Sequence, residues 1–245
     1  MKVNAIIQAR CGSTRLPGKI FMEIVGKPLL WHVVNRLTYV NMIDDIVIAT
    51  TTDIKDDAVE EWCNENKVKC FRGSEEDVLN RFYYAAMTFP CDVIVRVTAD
   101  DPFKEPSIID KIIKKLVDEN LDLATNVFPP SFPEGLDCEV FTFDVLQIME
   151  KTTNDPYDRE HVTPYIYNNP DKFKIKNISS NHQLSSYRWT IDNDEDYEMV
   201  NEIYNKRKNQ NDGILLMEEI LEILDENPEI ISINSNVKRS AMYEK

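Results

Sequence analysis

Histidine, glycine and paired cysteine are all in short supply in this chain of 245 residues, and each shortage removes a class of function. Three scattered histidines, His32, His161 and His182, make a histidine-built metal site a poor expectation. The five cysteines, Cys11, Cys63, Cys70, Cys91 and Cys138, are odd in number and contain no C-x-x-C pair, which argues against a disulfide framework or a zinc cluster and for reduced thiols. Six glycines leave no Gly/Ser linker, and no internal repeat or low-complexity segment is present. Positive charge is scarce too: 28 Lys and Arg face 43 Asp and Glu, for a net charge of −15. That balance argues against a broad nucleic-acid or anionic-membrane surface. No apolar run reaches membrane-spanning length and no signal-type leader precedes the first strand, so the expected location is the cytoplasm.

What is present is the composition of a globular protein, 42% apolar and 29% charged, in a pattern that alternates strand with helix. Apolar runs at Val3–Ile7, Ile46–Thr51, Val68–Phe71 and Asp92–Val97 read as strands. Helical spacing at Pro28–Leu37, Ala58–Asn66, Glu75–Met87 and Ser107–Val117 fills the intervals, with Ser107 as the expected N-cap of the last. Such alternation with short loops predicts an α/β fold with a mostly parallel sheet and helices on both faces. After about Asn126 the pattern loosens: strands are expected at Gly135–Phe143, Phe173–Ile178 and Ser186–Ile191, and helices at Glu160–Tyr167, Asp196–Lys206 and Leu215–Leu224. One domain over 1–245 is expected, with 126–185 as a small inserted, β-rich lobe.

The run Ile6–Lys19, I-I-Q-A-R-C-G-S-T-R-L-P-G-K, carries the most information. It leaves the first strand and packs Arg10, Arg15 and Lys19 into ten residues of an otherwise acidic protein. A loop at the carboxyl end of the first strand of an α/β sheet is a nucleotide position, and its N–H groups and cations suit an oligophosphate. It is not a P-loop: five residues separate Gly12 from Gly18, and Ile20 rather than Ser or Thr follows Lys19. The dinucleotide pattern G-x-G-x-x-G is also missing.

Two acidic segments are candidates to face this loop. Arg96–Pro102, R-V-T-A-D-D-P, sets consecutive carboxylates at a strand end, where Mg²⁺ could take one or two of them together with phosphate oxygens. Asp-Asp-Pro is equally ordinary turn chemistry. Arg188–Glu198, R-W-T-I-D-N-D-E-D-Y-E, places Asp192 at the end of an apolar stretch, with Asp194, Glu195 and Asp196 suited to the start of the following helix.

Q-A-R-C-G-S-T-R-L-P-G-K resembles the signature of the cytidylyltransferases that activate acidic sugars, namely the acylneuraminate and 3-deoxy-manno-octulosonate enzymes and the related spore-coat polysaccharide biosynthesis proteins. F-R-G-S-E-E-D-V-L-N-R (Phe71–Arg81) and R-E-H-V-T-P-Y (Arg159–Tyr165) are similar to the spore-coat group. The resemblance implies a Rossmann-like mixed sheet of the nucleotide-diphospho-sugar transferase type. It implies that Arg10 and Lys19 hold the triphosphate of CTP, with Gln8, Ala9, Gly12, Ser13, Arg15 and Thr98 around the nucleotide. It assigns Asp100 as a catalytic metal ligand and Asp192 as the second ligand, for one or two Mg²⁺ ions. This chain departs from the family in having Ala99 where glycine is usual and Cys138 where an aliphatic residue is commoner. Arg72 and Ser74 are candidate nucleotide contacts, with Asp77 and Arg81 as a supporting i, i+4 pair. Asp137 and Glu139, in F-P-E-G-L-D-C-E-V-F, are nominated for the acceptor. His161 is either a ligand-facing donor or a structural histidine.

The implied reaction is attack of an acceptor oxygen on the α-phosphorus of CTP with loss of pyrophosphate, and no protein base stands out for it. The expected partners are CTP and an anionic small-molecule acceptor, with no nucleic acid and no membrane. A homodimer joined near residues 135–180 is expected. An acidic sugar would give a CMP-sugar and a phosphorylated acceptor a CDP derivative. A UTP- or GTP-dependent enzyme and a non-catalytic nucleotide-sugar-binding module are the competing expectations.

Overall fold

The computed structural model of the chain describes residues 1–207, 213–240 and 243. Its centre is β1 (Val3–Gln8), whose alternating side chains are buried on both sides: Ala5 and Ile7 join one core, Ile6 the other. A strand buried on both faces needs parallel neighbours with helical crossovers. β1 lies between β4 (Asp45–Thr51) and β6 (Val93–Thr98), parallel to both, and β5 (Lys69–Gly73) extends the sheet beyond β4. On the other flank come β8 (Glu139–Thr142), β7 (Leu123–Thr125) and β9 (Ile175–Asn177), giving the order β5-β4-β1-β6-β8-β7-β9. β8 runs antiparallel to both neighbours, so the sheet is mixed but mostly parallel, as the alternation predicts. A two-residue hairpin, β2 (Glu23–Ile24) with β3 (Lys27–Pro28), stands apart from it.

One face of the sheet is covered by α1 (Leu29–Leu37), α2 (Asp57–Asn66), α4 (Pro106–Asp118), α8 (Asp194–Asn205), α9 (Met217–Glu226) and α10 (Glu229–Ile233). The other carries α3 (Val78–Thr88), α5 (Phe143–Thr152) and the short α6 (Pro156–His161) and α7 (Pro164–Tyr167). α4 shows why the helical spacing was legible: Ile108, Ile109, Ile112, Ile113 and Leu116 form one buried stripe. Among the described residues no helix is long and apolar enough to cross a membrane.

Several local expectations give way. α4 begins at Pro106, a residue suited to the first helical position, and its N-cap is Glu105, not Ser107. α3 starts at Val78 because the Asp77 side chain accepts from Asn80 N at 2.9 Å. The helix expected over Glu160–Tyr167 is two helices, broken where Val162 takes φ 72° and Pro164 starts the next. Ser186–Ile191 forms no laddered strand: Ser186 lies in a turn, and within the span only Arg188 makes a bridge, to Glu134. Residues 126–185 build no sheet of their own: β8 and β9 join the central sheet, and most of the remaining ordered structure there is helical.

Candidate active site

Register decides which loops meet. Gln8 at the end of β1 pairs with Thr98 at the end of β6 and with Ala49 in β4. The loops after β1 and β6 therefore leave the sheet side by side, at its carboxyl edge. The first loop is pinned from below by buried Asp56, which accepts from Cys11 N at 2.7 Å and from the Thr51 hydroxyl. Within the loop, Ser13 N and Gly18 N both donate to Cys11 O, at 2.9 and 3.0 Å. Gly18 at φ 71° then turns the chain into a short 3₁₀ helix, Lys19–Phe21, which sends Lys19 inward.

Lys19 is 8% exposed and its ammonium is the hub of the site. Nζ donates to Asp100 Oδ2 at 2.8 Å, to Asp192 Oδ1 at 2.9 Å and to Ile191 O at 2.8 Å. The backbone brings the two aspartates together, since Ile191 N donates to Asp100 O at 2.9 Å. Ala99, in place of the family glycine, is buried without a left-handed φ and donates to Gln8 O at 3.2 Å, so the turn accepts alanine without strain. Burial would raise the Asp100 carboxyl, but the Lys19 ammonium outweighs it and holds Asp100 at about 2. Burial likewise works against the Lys19 charge, and the two carboxylates more than offset it.

A second hub supports the first. Buried Arg188 donates to Glu134 Oε1 at 2.8 Å, to Asp196 Oδ1 and Oδ2 at 2.8 Å each, and to Asp192 Oδ2 at 3.0 Å. Asp196 is fully buried and also receives Asp192 N at 3.0 Å, while Asn193 caps α8. Asp196 lies with Asp194 and Glu195 in the first turn of α8, as expected, and it also anchors Arg188. Arg188, Asp56 and Glu134 were not singled out as functional residues. For Arg188 the signal was Asp192 and Asp196 at fixed spacing behind it; Asp56 had none.

Asp100, Asp192, Thr98, Asp137, Glu139 and Arg96 line one cleft of about 220 Å³. Arg96 donates to Glu139 Oε2 at 2.6 Å and to Gln8 Oε1 at 3.2 Å, and the Tyr167 hydroxyl donates to Glu139 Oε1 at 2.7 Å. Buried Lys104 pairs with Asp101 at 2.7 Å, and Thr98 donates to the same carboxylate at 2.8 Å. Cys138, in the aliphatic position, is buried and acts as a small apolar side chain. Arg15 reaches Asp192 at 3.0 Å from the exposed rim, and Arg10 meets Glu75 at 3.3 Å. Gly12 and Ser13 lie half-buried in the same loop, and Ala9 is buried beneath it.

The lining of the cleft includes none of Gln8, Ala9, Arg10, Gly12, Ser13 and Arg15 of the first loop, and Arg72, Ser74 and His161 also lie outside it. The Arg72 guanidinium is taken up by Asp57 at 2.6 Å, Glu60 at 2.9 Å and the carbonyls of Thr51 and Asp53, so it ties β5 to α2. Ser74 is exposed and its hydroxyl accepts from Asp77 N at 3.1 Å. His161 is exposed with its ring 4.3 Å from that of Tyr157. The Asp77–Arg81 pair also dissolves: Asp77 pairs with Arg159 at 2.6 Å, and Arg81 donates to Ser74 O at 2.5 Å.

The donor set at Asp100 and Asp192 suits a hard divalent cation. Two carboxylate oxygens lie within hydrogen-bond distance of one atom, and no cluster of three or more His, Cys, Asp or Glu side chains suited to a metal occurs among the described residues. Mg²⁺ commonly takes one or two carboxylates and completes its shell with phosphate oxygens and water.

A family model described as Cytidylyltransferase matches residues 4–229. The chain is 34% identical to the spore coat polysaccharide biosynthesis protein SpsF of Bacillus subtilis, over 91% of this chain and 94% of that one. A solved cytidylyltransferase from Leptospira borgpetersenii is 35% identical with a TM-score of 0.88, over 94% and 97% of the two chains. The solved CMP:2-keto-3-deoxy-manno-octonic acid synthetase complexed with CTP shares the fold, with a TM-score of 0.63 at 19% identity over 82% and 97%.

Proposed function

This chain is a member of the cytidylyltransferase family, and from that premise we propose that it transfers CMP from CTP to an acidic sugar of the 2-keto-3-deoxy or nonulosonic type, releasing pyrophosphate, for surface polysaccharide or glycoconjugate synthesis. The observation that carries this reading is the meeting of Lys19 with Asp100 and Asp192 at the mouth of a cleft. A cation from the first loop and two carboxylates from distant segments are what a triphosphate with a divalent ion requires.

In this reading Arg10 and Lys19 neutralise the β- and γ-phosphates, while Gln8, Ala9, Gly12, Ser13, Arg15 and Thr98 surround the nucleotide. Asp100 and Asp192 would hold Mg²⁺, which when bound polarises the α-phosphate and offsets its developing charge. Asp137 and Glu139 orient the acceptor. An acceptor oxygen attacks the α-phosphorus in line, a P–O bond forms, and the bond to pyrophosphate breaks. Little covalent work falls to the protein, so positioning and preorganised charge supply the rate. Support for CTP comes from the family and from the CTP complex of a synthetase of the same fold, and support for polysaccharide synthesis from the Bacillus relative. Two copies would pair through residues 126–185, where Phe128, Ile148 and Tyr157 are exposed.

The test is pyrophosphate release with each of four NTPs against 3-deoxy-manno-octulosonate, N-acetylneuraminate and a panel of phosphorylated sugars. Turnover with CTP and a keto acid is expected. Turnover only with a phosphorylated sugar would make the product a CDP derivative, and release from no combination would leave a binding module.

A further inference from the structure

Six carboxylates line the cleft, and five of them have a cation partner. Lys19 serves Asp100 and Asp192, Lys104 serves Asp101, Arg96 serves Glu139, and Arg188 with Arg239 serves Glu134. Asp137 is the exception among the described residues. Lys104 does reach it, but donates to its main-chain oxygen and keeps its ion pair for Asp101. The Asp137 carboxylate receives the Tyr243 hydroxyl on Oδ1, and Oδ2 has no partner among the described residues. The carboxylate makes no ion pair of its own, and its burial strengthens its hold on a proton.

We propose that Asp137 is the general base of the transfer, taking the proton from the attacking hydroxyl of the acceptor, and that Tyr243 is its positioning residue. The inference rests on the transfer reading above and adds the proton to it. The acceptor O–H bond breaks toward Asp137 Oδ2, the freed electron pair forms the new bond to the α-phosphorus, and pyrophosphate departs with the electrons of the broken P–O bond. Asp137 then returns its proton to solvent through the open cleft.

The surroundings suit the role. Burial lifts the Asp137 carboxyl to about 7; Lys104 and the Tyr243 hydroxyl lower it, while Asp101 and Glu134 raise it. A base is most effective when its pKa lies near the working pH. Asp100, held at about 2 in the same cleft, is far too weak a base. The backbone also fixes Asp137. Gly135, at φ 105°, lies so close to Trp189 and Thr190 that an added Cβ would be 2.8 Å from Thr190 N.

Tyr243 lies beyond residues 4–229, the span matched by the family. Arg239 anchors that returning segment, donating to Glu134 Oε2 at 3.0 Å and to Tyr187 O at 2.9 Å, with its guanidinium carbon 4.7 Å from the Tyr243 ring. The base therefore belongs to the cleft, and its tuning comes from a residue outside that matched span.

The test compares wild type, Asp137→Asn and Tyr243→Phe in pyrophosphate release from CTP and Mg²⁺ with 3-deoxy-manno-octulosonate and N-acetylneuraminate across about pH 5.5 to 9, around the ordinary range for a raised carboxyl. Wild-type turnover should rise through pH 7. Asp137→Asn should lose roughly 10²-fold or more of it, the usual worth of a general base, with calorimetric CTP affinity unchanged. Tyr243→Phe, by removing a hydrogen bond that lowers the carboxyl, should move the rise to higher pH, which a merely structural loss would not do. Carboxyl ¹³C titration of the unmutated protein should find one aspartate with a midpoint near 7. Wild-type-like turnover in Asp137→Asn, an unmoved profile in Tyr243→Phe, or no aspartate titrating above about pH 5 would each overturn the assignment. A wild type that releases pyrophosphate with no acceptor would overturn the transfer reading and the base together, so the two failures are told apart.

Discussion

Asp100 and Asp192 grip the same atom: Lys19 Nζ lies 2.8 Å from one carboxylate and 2.9 Å from the other. The nearly buried ammonium lies between two acids that would otherwise repel, with Arg188 and Arg15 also reaching Asp192, and this makes Lys19 a structural hub.

Lys19→Met should therefore destabilise the free protein by roughly 3–5 kcal/mol, the usual cost of breaking a buried ion pair from one side. If the two carboxylates hold a divalent ion, millimolar Mg²⁺ should raise the melting temperature of the variant more than that of wild type. Thermal unfolding with and without Mg²⁺ checks both statements; equal responses would count against a shared metal seat.

Arg188→Met should cost a similar roughly 3–5 kcal/mol, because Glu134, Asp192 and Asp196 lose one common partner. Arg188→Lys should recover little of this, since an ammonium cannot reproduce the planar fork that serves Asp196 through two nitrogens. Urea denaturation of the two variants measures the difference.

Gly135→Ala and Gly18→Ala form a matched pair. Both glycines have positive φ, but at Gly18 a new Cβ meets nothing within 4 Å, whereas at Gly135 it meets Thr190 N at 2.8 Å and Trp189 C at 2.9 Å. Gly18→Ala should cost about 1–2 kcal/mol, the left-handed penalty alone. Gly135→Ala should cost more and also lower turnover, because Thr190 leads into Asp192. Paired stability and activity measurements test that order.

The helices and parallel strands were legible because their residues repeat with periods that only those elements bury; α4 and β1 are the clearest cases. The first loop was legible from its density of cations in an acidic chain. The meeting of Asp100 with Asp192 was implied by the resemblance alone and not by spacing, because it depends on a backbone hydrogen bond between remote segments. Arg72 misled for the complementary reason: its motif marks the family, yet Asp57 and Glu60 on the neighbouring helix occupy its guanidinium. The strand expected at Ser186–Ile191 failed because alternation describes extended backbone and says nothing of a partner; only Arg188 finds one. Tyr243 carried no signal, since its place over Asp137 is set by Arg239 folding back.

Asp137 makes a prediction about stability as well as rate. Its carboxyl is raised by burial from 3.8 to about 7, so the unfolded chain ionises it at lower pH than the folded protein does. The resulting cost is absent below about pH 4, grows as pH rises to about 7 and is constant above, amounting at most to about 4 kcal/mol at about 1.4 kcal/mol per unit. Asp137→Asn should thus be more stable than wild type at pH 8, with the gap closing near pH 4. Denaturation at the two pH values decides it.

The most direct test of the central claim is steady-state, Mg²⁺-dependent pyrophosphate release from CTP by wild type and by Asp100→Asn, with folding of the variant verified by circular dichroism. The predicted result is turnover that requires Mg²⁺ in wild type and falls by about 10²-fold or more in the folded variant, the scale of losing a preorganised charge at the reacting phosphate. Equal turnover in the two proteins would contradict the claim and remove Asp100 from the site.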